Sequence, residues 1–208
     1  MHFKVTSLSV LIVLCSFIGK AQRVFTSRLT VDAAMRDTFT FQKQWAYNWY
    51  LSTDEDGMFS SGISDKVLPA DTVHQYFTAA MQTNVQGGYA LRYCNAVMRS
   101  DTLVLNFADG LPAYASSFSA YMVEDSVCFE PHIAYPSATP GRKRTYRVDK
   151  ALLTLNRRKY LPGDVVMGYA DFVFAEIETS PDDEVQETIL YLRGYIRTKI
   201  KLPGRAKK

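Results

Sequence analysis

From residue 39 to residue 51 the chain alternates with period two. Phe39, Phe41, Lys43, Trp45, Tyr47, Trp49 and Leu51 fall on one side, and Thr40, Gln42, Gln44, Ala46, Asn48 and Tyr50 fall on the other. That period is the signature of a half-buried β-strand, whose successive side chains point to opposite faces. Residues 24–31, 89–97, 103–107, 151–155, 165–177 and 189–200 read as further strands. Residues 117–123 and 126–129 read as a hairpin turning at Glu124-Asp125. One segment departs from the pattern: Val73, Tyr76, Phe77, Ala80 and Met81 make a helical stripe behind a candidate N-cap, Asp71. The spacing predicts one short helix near 71–82, ended by Gly87-Gly88.

Short strands separated by turn signals make the chain mainly β. The expected architecture is a single antiparallel β-sandwich, immunoglobulin-like or similar. The alternatives are an α+β fold or a small barrel with a covering helix. The clearest turn is Leu161-Pro162-Gly163-Asp164, where Pro presets φ and Gly supplies positive φ. The stretch from Leu155 to Gly168, with Tyr160-Leu161-Pro162-Gly163-Asp164 followed by Val165, resembles a turn of bacterial immunoglobulin-like and macroglobulin-like sandwich domains. That resemblance implies a fold and assigns no functional residue. Residues 131–144, with three prolines and a glycine, read as a long loop, and the acidic residues 178–187 as a solvated one. Gly194, inside the last strand, marks a bulge or a close backbone approach.

The N-terminus reads as a secretory signal peptide over residues 1–21. Lys4 gives a basic start, residues 5–18 are uncharged and mostly apolar, and Gly19-Lys20-Ala21 supplies small residues before a cut at Gln22. The apolar stretch is shorter than the ~20 residues of a spanning helix, which disfavours a retained anchor. Leu14 before Cys15 disfavours a lipoprotein. The expected location is therefore extracytoplasmic, periplasmic or secreted, with residues 22–208 as one domain and a loose basic tail.

Losing Lys4 and Lys20 lowers the formal net charge from +3 to +1, so no basic face for nucleic acid is expected. An oxidising compartment would permit a disulfide between Cys94 and Cys128. Too few cysteines and histidines remain for a zinc site. Residues 52–57 set Asp54, Asp56 and Gly57 at calcium-loop spacing but lack the acid at the twelfth position, so they read as an acidic hairpin turn. No cofactor and no metal are expected.

Trp45, Tyr47 and Trp49 could form a sugar-stacking platform, but their alternation with Phe39, Phe41 and Leu51 assigns them to a core face. Tyr50, His132 and Tyr135 lie off the predicted core faces and are the candidate ligand contacts. No nucleophile elbow or phosphate loop occurs. The expected function is a non-enzymatic module of a bacterial cell envelope binding a protein or glycan. The alternative is a secreted hydrolase built from loop carboxylates and His132.

Overall fold

The computed structural model describes residues 27–37, 40–48, 50–109, 116–135 and 141–201. The segment expected to be a signal peptide, Phe39, Trp49 and the tail beyond Lys201 lie outside these. The described chain is mainly β. Its strands are β1 (Ser27–Val31), β2 (Trp45–Ala46), β3 (Leu51–Thr53), β4 (Phe59–Ser61), β5 (Gln75–Tyr76), β6 (Ala79–Thr83) and β7 (Tyr89–Leu91). They continue with β8 (Tyr93–Arg99), β9 (Thr102–Ala108), β10 (Ser117–Val123), β11 (Ser126–His132), β12 (Lys143–Leu155), β13 (Val165–Thr179) and β14 (Val185–Lys201). Among the described residues there is no α-helix, only three short 3₁₀ turns, and no helix is long and apolar enough to cross a membrane.

Ten strands form one mixed sheet in the order β13-β12-β1-β11-β10-β9-β8-β14-β6-β7, with β13 also paired to β14. That extra pairing closes a ring from β14 through β13, β12, β1, β11, β10, β9 and β8 back to β14. Two parallel contacts complete it: Leu29–Val31 against Leu153–Leu155, and Ile200–Lys201 against Ala96–Val97. The β content of the sandwich expectation stands. The two separate sheets of an immunoglobulin-like sandwich are not seen, because strands of both halves are joined at each corner.

The interior is one apolar core drawing on every strand of the ring. Phe129 of β11 stacks on Phe172 of β13 with ring centroids 4.2 Å apart, and Phe118 of β10 meets Phe174 of β13 at 6.2 Å. These pairs join strands that are not neighbours, so the rings meet across the interior. Period-two sequence produces this packing: along β13 buried and half-buried residues alternate from Val165 to Phe174. Asp164 N–H donates to the Leu161 carbonyl at 3.0 Å, and Gly163 has φ +95°, as the Pro-Gly turn requires.

The helix expected near 71–82 is absent. Its C-terminal half is strand β6, with Ala79, Met81 and Thr83 buried and Ala80 and Gln82 exposed. Here tertiary pairing overrides a helical pattern. Ala79 to Thr83 lie antiparallel to Ile196 to Leu192 of β14, whose backbone groups would otherwise be unpaired along that edge.

Cys94 and Cys128 do not join. Cys94 belongs to the interior, whereas Cys128 clusters with Val104 and Tyr121 on the other face of the sheet. β9 and β10 lie between their strands, a separation of about 14 Å at the usual strand spacing. A disulfide needs its Cα atoms within about 7 Å.

Candidate functional site

Between Thr40 and Thr78 no described residue is buried. This segment forms two small hairpin-like pairs, β2 with β5 and β3 with β4, outside the main sheet. Its ends are tied down: Gln42 Nε2 donates to the Arg197 carbonyl at 2.9 Å, Arg197 N–H donates to the Thr78 carbonyl at 3.0 Å, and the Phe77 ring meets Tyr93 edge-on. Between those ends its aromatic side chains pack on one another. His74 lies between two rings, 4.7 Å from Trp45 and 4.0 Å from Tyr47, nearly parallel to both. Phe59 closes edge-on against Tyr47, and Tyr76 against Trp45. Trp45 is 52% exposed and Tyr76 56%. Met58, Ile63, Leu68 and Val73 of the same segment are also large, apolar and exposed.

The sequence reading of this segment is corrected on three points. The strand expected over 39–51 is broken into a 3₁₀ turn at Phe41–Lys43, the two-residue β2, and β3. Trp45, assigned to the core, faces solvent. Tyr50, expected to be exposed, is half-buried: its hydroxyl donates to Asp71 Oδ1 at 2.8 Å, and burial adds to that bond in raising its pKa. Asp71 is no helix cap. Its other oxygen accepts the Leu68 N–H at 2.9 Å, so Asp71 and Tyr50 clamp two loops together. The acidic stretch is a hairpin turn, with Asp54 Oδ1 accepting the N–H groups of Asp56 and Met58.

His132 and Tyr135, two of the three sequence candidates, come together in a second site, and Tyr50 is not part of it. They line a pocket of about 300 Å³ with Ile133, Arg142, Arg144 and Tyr146, where β11 ends and β12 begins. Two of the lining tyrosines bond to buried Glu176, whose carboxylate accepts the Tyr135 hydroxyl at 2.5 Å and the Tyr146 hydroxyl at 3.3 Å. Arg144 lies flat over the Tyr135 ring at 4.0 Å, and its Nη2 is 2.6 Å from Glu178. Arg142 also pairs with Glu178. Burial alone would raise the Glu178 pKa, but the two guanidiniums outweigh it and hold the carboxyl below its ordinary value. Strand register builds this network, since Arg144 stands opposite Glu178 and Tyr146 opposite Glu176. Sequence reasoning offers Glu176 only as one of several acids it cannot place and misses Glu178 and both arginines, and pairing the 143–147 and 175–179 segments would have gathered them.

The tyrosines carry a pH prediction. Burial is the largest cause raising the pKa of Tyr135 and Tyr146, reinforced in Tyr135 by its bond to Glu176. Burial also pushes Tyr160 up to about 12. An unfolded tyrosine loses its proton near 10. The folded state therefore holds these protons more tightly, and the resulting stability is complete below pH ~10 and lost as pH rises through the raised values. Urea midpoints are expected to be level between pH 8 and 9.5 and to fall steadily above pH 10. Tyr135→Phe should flatten part of that fall. A midpoint unchanged up to pH 11.5 would contradict the buried phenols.

Compared with protein-family models, with curated proteins and with solved structures, the chain matches none of them.

Proposed function

We propose that this chain is a non-enzymatic binding module, exported to the bacterial cell envelope, whose contact surface is the aromatic segment between Thr40 and Thr78. The observation that carries the reading is that this segment contributes no buried residue among those described, yet holds exposed Trp45 and His74 in a preformed stack with exposed Tyr76 edge-on. Folding gains little from such an arrangement. A partner gains large, rigid aromatic area at low entropic cost, which is the usual chemistry of interface anchors. The exposed Met58, Ile63, Leu68 and Val73 favour a protein partner, because scattered aliphatic groups add contact area against another protein and little against a sugar. Trp45, whose ring is backed by His74, supports the second reading, a glycan stacked on its open face.

A hydrolase would need carboxylates open to a cleft. Glu176, the buried acid of the His132 pocket, spends its oxygens on two tyrosines, which weighs against that alternative.

The test is affinity capture with tagged residues 22–208 against the envelope fraction of the source cells, wild type beside Trp45→Ala and Tyr76→Ala. Both variants should keep the wild-type melting temperature within a few degrees, since neither ring is buried. Trp45→Ala should weaken a purified protein partner by about 30-fold, the scale of an interface hot spot. Binding that is indifferent to both variants would remove this surface from the function. Quenching of tryptophan fluorescence by soluble envelope glycans, lost in Trp45→Ala, would move the assignment to the glycan reading.

A further inference from the structure

A second cavity lies at the opposite end of the ring from the His132 pocket, at the β8–β9 and β10–β11 turns. It holds about 370 Å³ and is walled by Met98, Leu103, Met122, Tyr160 and Leu161. That volume is within the ~300–1,000 Å³ of small-molecule sites, and the mouth of a β-barrel is a recurrent place for one. Leu103 and Met122 belong to the interior core, so the cavity is the open end of that core and not a surface dimple. Methionine side chains reshape readily around an apolar guest.

The segment after β12 forms the lid edge. Its Tyr160 is buried, with the hydroxyl donating to Asn156 Oδ1 at 2.7 Å, and Arg158 is held to Asp125 at 2.9 Å. Leu161, at the lip, is 71% exposed.

The rim decides what enters. Thr102 pairs with Val123 across β9 and β10, so Asp101 and Glu124, the next residues outward, stand side by side at the mouth. Arg158 is neutralised by Asp125, which leaves Lys159 facing two carboxylates. Asp101 and Glu124 therefore give the rim an acidic side.

We propose that this mouth binds a small amphiphile, with its apolar chain against Met98, Leu103 and Met122 and a positively charged head between Asp101 and Glu124. The site is independent of the aromatic segment, and either can fail without the other.

Calorimetric titration of the full chain with decylammonium, decanol and decanoate, all below their micellar concentrations, tests it. Decylammonium should bind saturably at one site and at least tenfold more tightly than decanoate. The double variant Asp101→Asn, Glu124→Gln should erase that preference and leave decanol binding unchanged. Leu161→Asp, which alters an exposed residue and should fold normally, should weaken decanol and decanoate, while its added carboxylate offsets the lost apolar contact for decylammonium. Absence of saturable binding overturns the site. Decanol binding unaffected by Leu161→Asp places the ligand elsewhere, and a preference for decanoate overturns the assigned head group.

Discussion

Gly194→Ala is expected to lower the stability of the fold by about 3–4 kcal/mol, a large share of the ~5–15 kcal/mol that holds a domain together. Gly194 has φ +144°, a region that side-chain-bearing residues rarely adopt. A Cβ there would run into the Ala80 carbonyl oxygen and sit 2.6 Å from Met81 Cα. Both atoms are backbone of β6, so no rotamer change relieves the clash. β14 must move away from β6, whose Ala79 and Met81 line the core. The same strand goes on to meet β8 at Ile200 and close the ring, so the strain reaches the closure. Gly57 is the control. Its φ is +80°, but nothing lies within 4 Å of an added Cβ. Gly57→Ala should therefore cost only the backbone term, about 1 kcal/mol. Urea denaturation of the two variants separates the effects. Equal losses would show that the β14–β6 approach is looser than described.

The sequence made Gly194 legible as a close contact because a glycine inside a strong strand pattern has few other uses. The same logic located the Pro162-Gly163 turn, the hairpin at Glu124-Asp125 and the long β13 and β14, where alternation and turn chemistry agree. It failed where several periods fit one segment. Ala79-Ala80-Met81 sits as well on a helix stripe as on a strand, and only the free edge of β14 decides between them. It failed differently at 39–51. The alternation there is real, but a strand face is buried only if another layer covers it, and the main sheet does not extend over Trp45. Ring closure was hidden as well, because the parallel contacts β1–β12 and β8–β14 join segments far apart in the chain. Tyr135 was recoverable as a loop residue near prolines, and His132, which ends β11, as the neighbour of Pro131. Their glutamate and arginine neighbours were not, since only the register of β12 against β13 gathers them.

The largest side-chain effect is expected at Phe129. Its ring stacks on Phe172 at 4.2 Å, lies parallel to Phe118 at 6.4 Å and meets Phe174 at 5.5 Å. It is the point where β10, β11 and β13 touch across the interior. Phe129→Ala removes transfer energy and leaves a cavity that the remaining rings, held on two strands, cannot collapse to fill, a loss of about 4–5 kcal/mol. Phe129→Leu keeps most of the volume and should cost about 1.5 kcal/mol. Phe59→Ala, which removes a ring of similar size from the aromatic segment, should cost about 1 kcal/mol, because Phe59 is only half-buried and packs mainly on Tyr47. Denaturation midpoints of the three variants compare the two parts of the molecule directly. A double variant with Phe172→Ala should lose less than the sum of the singles, since the stacked pair is broken only once. If Phe59→Ala proved as damaging as Phe129→Ala, the aromatic segment would be part of the folding core. Its exposed rings would then need a structural explanation, and their availability to a partner would no longer follow.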